Sequence, residues 1–442
     1  MKKILTNIVA ILLLTGFAKA QETVYPAKEY KGRLFITNGT VHVGNGQVLE
    51  NTTLEVNNGR IIKVGTGIVV PPQGDEAIKV VDAKGKHVYP GLILPSTDLG
   101  LKEIANGVRG SNDYAELGDY NPSVRSIVAY NTDSKIIGTL RANGILLASV
   151  TPEGGVISGS SSVVQLDAWN WEDAAYKMDG GIHLNLPSFI ARPGGRRAFF
   201  FPGTPAPQAD PVKQALEKTE EIKTFFREAK AYQQETTHKQ TNLKLEAVKG
   251  LFNKTQKLFV HCDQVKQMLV AIDFVKEFGF DVVIVGGSES YQVADLLKHN
   301  NIAVILGSQH ELPSMEDDDI DQPFKTPAAL QKAGVLFALN DTHTESRYRN
   351  LSFNAGTAVA YGLGKEEALQ AITLNAARIL GIDNRTGSLE AGKDANIVVC
   401  DGDILDMKSS NVSAVLIQGR PINLDNKQKQ LYERYKYKYN IQ

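Results

Sequence analysis

The feature that most constrains this 442-residue chain is the stretch between residues 90 and 382, where short apolar runs alternate with helical patterns. The runs fall at 92–94, 145–150, 258–261, 282–285, 303–306 and 336–339. Short runs of this kind separated by helical stretches are what βα units on a parallel sheet require, because each strand is covered on both faces. A segment of about 290 residues matches a (β/α)8 barrel, usually ~250 residues, carrying insertions. Pro90 and Ile382 therefore bracket a TIM-like barrel in an α/β protein.

The flanks read differently. From Arg33 to Val88, short alternating strands are punctuated by Asn38-Gly39, Asn45-Gly46 and Asn58-Gly59, a run of antiparallel hairpins. About 55 residues is a small free-standing core. A matching β-rich piece, from Gly387 through Asn396-Ile397-Val398-Val399-Cys400 to Arg420, returns at the other end. Together they predict a small β-sandwich lobe built from both ends of the mature chain. The expected organisation is a leader at 1–20, the first part of the lobe at 21–89, the barrel at 90–384, the second part of the lobe at 385–424 and a tail at 425–442. Within the barrel, residues 192–254 read as an insertion, a Pro/Gly-rich loop followed by a charged helix from Val212 to about Gln234, with a solvated spacer or lid as the simplest expectation. The segment 154–162, Gly-Gly-Val-Ile-Ser-Gly-Ser-Ser-Ser, reads as an active-site loop after a strand. In the tail, tyrosines alternate with charges at 432–439, which predicts a strand or docking segment.

Composition narrows the class. With 48 basic and 49 acidic side chains and 42% hydrophobic residues, the chain lacks the charge excess of a nucleic-acid or polybasic membrane binder and the composition of a disordered one. Lys2 and Lys3 precede an apolar core, and Ala18-Lys19-Ala20 supplies small residues at a cleavage site, so residues 1–20 read as a secretory signal peptide. No cysteine follows to accept lipid, and the expected mature protein is exported, periplasmic or secreted, and not membrane-embedded. Two cysteines, Cys262 and Cys400, exclude a disulfide scaffold or Cys-cluster zinc module and are expected to be free buried thiols.

The β-rich segment ending in Tyr89-Pro90-Gly91-Leu92-Ile93, the barrel-like middle, and the return through 368–381 to Gly387-Ser388-Leu389-Glu390-Ala391-Gly392-Lys393-Asp394-Ala395 resemble the metal-dependent amidohydrolases, most of all the imidazolonepropionase-like branch. The resemblance spans residues 33 to 420. It implies a divalent metal, zinc first, held by a His-x-His pair on the first barrel strand, histidines at the ends of the fifth and sixth, and an Asp at the end of the eighth. Imidazole and carboxylate suit such an ion, and alternate residues of one strand share a face. A metal with an open position makes hydroxide available near neutral pH.

Several of those positions are altered here. The first-strand pair reads Ser96-Thr97-Asp98, and the sixth-strand position is Val285-Gly286-Gly287. His261 keeps the fifth-strand position and Asp341 the eighth, where the resemblance makes it ligand and base. The candidate site is therefore His261 and Asp341 as catalytic groups and, with Asp98, as metal ligands. Ser96, His183, His310 and His343 are candidate substrate-binding residues, His310 or His343 also standing as a fourth ligand; His183 is expected in a loop over the barrel mouth. The degenerate ligand set leaves open that the metal is absent. His42, His87, His238 and His299 are expected to be structural or solvated, and Cys262, on the opposite strand face from His261, is no partner for it. The readings are an exported hydrolase of a non-peptide C–N bond in a cyclic or acylated amide, using metal-bound or Asp-activated water, or a catalytically degraded homologue serving as a binding or partner subunit. The expected partners are a small amide-like substrate, with a homo-oligomer or a second amidohydrolase also open.

Overall fold

The computed structural model describes residues 25–72, 77–103, 112–190, 210–235, 237–313, 318–342 and 347–441. The expected leader lies outside these residues. Strands β1 (Arg33–His42), β2 (Val48–Asn57), β3 (Arg60–Gly65), β4 (Ile78–Asp82) and β5 (His87–Pro90) open the lobe. Asn58 (φ 47°) and Gly59 (φ 77°) turn β2 into β3, the positive-φ pair that two-residue hairpins favour.

The barrel sheet follows in chain order: β6 (Leu92–Thr97), β7 (Ile145–Val150), β8 (Ile157–Gln165), β9 (Ala175–Asn185), β10 (Lys257–Cys262), β11 (Val282–Gly286), β12 (Ala303–Leu306) and β13 (Phe337–Leu339). All six apolar runs read from the sequence are strands of it. Neighbours pair in parallel except around β8, which runs antiparallel to both β7 and β9. At the seam, Asn340 Nδ2 donates to Ser96 O at 2.8 Å, tying the segment after β13 to β6.

Strand β8 corrects the expectation of a loop at 154–162. Every residue from Ile157 to Gln165 is buried, and Ser158, Ser160 and Ser162 are held by hydrogen bonds. Ser160 Oγ donates to Asp179 (2.8 Å), Ser162 Oγ accepts from Asp179 N (2.9 Å), and Ser158 Oγ accepts from Asn185 Nδ2 (3.0 Å). Small hydroxyl side chains can line a buried strand when each finds a partner.

The charged helix of the insertion is Pro211–Gln234, with Asp210 capping Val212 N at 3.0 Å and Pro at its start. It is no spacer. Ala215, Thr219, Ile222, Phe226 and Ala229 form a buried stripe at helical spacing. Phe226 meets Phe274, Phe278 and Phe280 at ring-centroid distances of 5.8, 5.8 and 5.2 Å, while Arg227 Nε reaches Glu277 at 2.6 Å. The helix is one of the layers around the barrel; the Pro/Gly-rich residues 191–209 before it lie outside the described residues.

Strands β14 (Ile397–Cys400), β15 (Val412–Ile417) and β16 (Arg420–Pro421) return to the lobe. β14 pairs antiparallel with β5, so Ile397 faces Pro90 across the ladder and the two ends of the chain share one eight-stranded sheet. Their side chains share one core as well: Leu34, Leu54, Val88, Ile397, Val399 and Leu416 are buried together. Cys262 and Cys400 are free and buried. The tail is helical, Lys427–Tyr439, rather than a strand, capped by Asn426, whose side chain accepts from Lys429 N. Its Lys, Arg, Glu and Gln favour a helix, and with no buried residue nothing selects the two-residue period of a strand.

Candidate active site

Candidate residues cluster at the C-terminal ends of the barrel strands, the face that carries the active site in barrel enzymes. His261 ends β10 and His183 lies two residues before the end of β9, in register with Phe259. His183 is therefore a strand residue, not a loop residue. The alternation Gly181-Ile182-His183-Leu184-Asn185 was the signal for it. Gly181 makes the packing feasible, since a Cβ there would lie 2.2 Å from the Phe259 ring. His183 stacks on Phe259 with centroids 4.9 Å apart, and its Nδ1 is 2.8 Å from Nε2 of His261.

One proton lies between the two imidazoles. Burial pushes His261 down to about 4 and His183 well below its ordinary range, so both are neutral near pH 7. His183 Nε2 is buried with no partner among the described residues. The pair is a neutral dyad, with His261 partly accessible and His183 1% exposed behind it.

The two carboxylates are set differently. Asp98, after β6, accepts a hydrogen bond from Tyr348 Oη and lies 3.5 Å from Lys102 Nζ. Asp341, after β13, is fully buried and accepts from Ser308 Oγ (3.0 Å) and Asn354 Nδ2 (3.1 Å). Both partners were missed in the sequence, where Ser308 and Asn354 carry no motif; they become visible once β12 and the helix Leu351–Ala360 converge on Asp341.

Ser96 is buried, its Oγ 3.4 Å from Thr151 Oγ1. His310 is exposed, 3.1 Å from Thr357 Oγ1 and 5.5 Å from the Phe324 ring. His343 lies outside the described residues. Of the remaining histidines, His42 and His87 are joined at 3.0 Å, and His42 Nδ1 sits 2.7 Å from Glu366, linking lobe to barrel. His238 bonds Glu235, and His299 ends a helix.

Among the described residues, no group of three or more His, Cys, Asp or Glu side chains is arranged to hold a metal ion. The donor set explains this. One nitrogen of His261 is committed to His183, and Asp98 already has a phenol and an ammonium beside it. The described residues do not fit the metal centre that the resemblance implies.

Barrel, two-ended lobe and site position together define the amidohydrolase class of fold. Residues 219–422 match the Amidohydrolase family. Over 367 residues the chain is 24% identical to the imidazolonepropionase of Thermoplasma volcanium, covering 80% of this chain and 85% of that one. It is 22% identical over 391 residues to amidohydrolase tasK of Hapsidospora irregularis, covering 81% of this chain and 38% of that protein. The solved structure of an amidohydrolase from Thermotoga maritima MSB8 superposes with a TM-score of 0.74 at 27% identity, covering 88% of this chain and 99% of that one. Residues 219–422 thus match the amidohydrolase family, and over most of its length the chain is similar to imidazolonepropionases.

Proposed function

We propose that the protein is an exported hydrolase of a non-peptide C–N bond in a cyclic or acylated amide, with Asp341 as the base. The observation that carries this is the placement of Asp341, fully buried at the end of the last barrel strand and oriented by Ser308 and Asn354. An oriented carboxylate in such a position can take the proton of an attacking water. The water oxygen adds to the carbonyl carbon, the C–N bond breaks, and Asp341 returns the proton to the leaving nitrogen. His261, neutral near pH 7, serves as a hydrogen-bond donor to the carbonyl oxygen. The test is hydrolysis of a panel of cyclic and N-acyl amides by the protein and its Asp341→Asn variant. Turnover that survives the substitution removes Asp341 from the chemistry.

A second reading, a partner or binding subunit that has left metal chemistry behind, is favoured by the engagement of Asp98 with Tyr348 and Lys102. Metal content separates the two versions of the site. Stoichiometric zinc that is lost in His261→Ala and Asp341→Ala revives a metal-bound water; copurification of a second amidohydrolase with an inactive chain favours the partner role.

A further inference from the structure

The helix Lys427–Tyr439 carries five basic side chains and one acid, a local excess that the even charge of the whole chain conceals. It also carries four tyrosines, and none of its 13 residues is buried. A helix this short is marginal in water by itself, and tyrosine is a middling helix former. It is tied to the barrel at its start, where Thr139 Oγ1 donates to Gln428 Oε1 at 3.0 Å and Asn426 caps Lys429 N at 3.0 Å. Farther along, Tyr432, Tyr435 and Tyr439 are 62, 53 and 61% exposed.

Helical geometry sorts these residues. At 3.6 residues per turn, Leu431, Tyr432, Tyr435 and Tyr439 share an arc of about 100°. Lys427, Arg434 and Lys438 follow one edge of that arc, and Lys429 and Lys436 follow the other. Glu433, the acid, falls on the opposite side with Tyr437. The cations stay close to the rings they flank: Lys436 Nζ is 5.6 Å from the centre of Tyr432, and Lys438 Nζ is 5.1 Å from that of Tyr439 and 5.9 Å from that of Tyr435. An aromatic strip thus lies between two rows of positive charge, with the acid turned away.

We propose that this helix lies on the surface of an anionic phospholipid bilayer, with its tyrosine arc among the headgroups and both rows of cations on the phosphates. The charge of the helix calls for an anionic partner, and its order calls for a broad one. A plane of anionic headgroups over an apolar layer meets both rows and the strip between them at once. Tyrosine suits that depth, because its ring is apolar and its hydroxyl reaches water. At about 20 Å the helix is too short to cross the ~30 Å hydrocarbon core, so it rests on the surface. The contact uses no residue of the candidate active site and stands apart from the reading of Asp341.

The test is cosedimentation of the mature protein, from Gln21 onward, with vesicles of phosphatidylcholine alone or with about one-third phosphatidylglycerol. Binding is expected only to the anionic vesicles at about 0.1 M salt, and to be lost at about 1 M, where the Debye length falls from ~10 to ~3 Å. Lys429→Gln with Lys436→Gln is expected to weaken binding by about 25-fold, roughly fivefold per charge removed. Tyr435→Ser with Tyr439→Ser should weaken it by about fivefold or more, while Tyr437→Ser, on the far side, changes it by less than about twofold. Serine matches tyrosine in helix propensity and none of these positions is buried, so the variants keep the fold. Equal binding to neutral vesicles, or a Tyr437→Ser effect as large as that of the Tyr435 and Tyr439 pair, overturns the proposal. So does self-association that the Tyr435 and Tyr439 pair abolishes in a protein that binds no vesicles, since the arc then belongs to a second copy of the chain.

Discussion

The two halves of the barrel mouth have been built in opposite ways. On the side of β6 to β9, polar side chains face one another: Asp98 takes Tyr348 and Lys102, Ser96 meets Thr151, and Asn185 meets Ser158. On the side of β11 to β13, Gly286 and the residues after Leu306 leave a cleft, with Asp341 held at its edge through Ser308. The dyad of His183 and His261 stands between them. In the amidohydrolase pattern the first strand supplies a pair of metal ligands. Here that side has become a hydrogen-bonded wall, and the open space lies beside β11 and β12.

The comparison can be broken most sharply at Asp341. Asp341→Asn is nearly isosteric and is expected to lower kcat/KM by about 10²-fold or more, the usual effect of losing a general base. Asp98→Asn, on the closed side, should leave kcat/KM within about threefold, since a group held in the wall touches no substrate. A large loss from Asp98→Asn, measured on the same amide, would put chemistry back on the first strand.

The dyad gives the next effect. His261 is depressed to about 4 in the folded protein, against an ordinary value near 6.5. The unfolded chain therefore takes up the proton first as pH falls. The stabilisation is complete above about pH 6.5 and is lost down to about pH 4, a change on the order of 3 kcal/mol for this group. Urea unfolding at successive pH values should show this slope, and His261→Asn should reduce it, leaving the part that buried His183 contributes.

Smaller effects belong to the hydrogen-bonded wall and to the support of Asp341. Asp98→Asn and Tyr348→Phe are each expected to cost about 1–3 kcal/mol in urea unfolding, the range for a buried hydrogen bond to a charged group. Ser308→Ala removes one orienting bond from Asp341 and should reduce kcat by about fivefold, corresponding to about 1 kcal/mol, alongside a loss of stability similar to that of Tyr348→Phe. Equal losses of stability from Ser308→Ala and Tyr348→Phe, with activity untouched by both, would dissolve the distinction between the two halves.

Much of the architecture was legible from periodicity. The apolar runs became barrel strands because strands covered on both faces must be apolar throughout, and Asn58-Gly59 marked a hairpin because that turn demands positive φ. Strand β8 was hidden by its composition, since serines satisfied by Asp179 and Asn185 look like a loop until those partners are in place. The insertion helix was read correctly along the chain and misread in space. Its charges on one face obscured a stripe from Ala215 to Ala229 that packs on Phe274, Phe278 and Phe280. The tail misled in the other direction, because a two-residue alternation selects a strand only when one face is buried.

The sequence by itself determined the barrel, the lobe completed from both ends, and the positions of His261 and Asp341 at the ends of their strands. These follow from local pattern and from motifs that need no partner to be recognised. The tertiary structure alone decided that His183 and His261 form one neutral dyad, that Asp98 belongs to the wall, and that Asp341 is held through Ser308 at the edge of a cleft. The physical reason is that protonation state, hydrogen-bond satisfaction and open space are properties of neighbours, and the neighbours here are up to 250 residues apart in the chain, as Tyr348 is from Asp98.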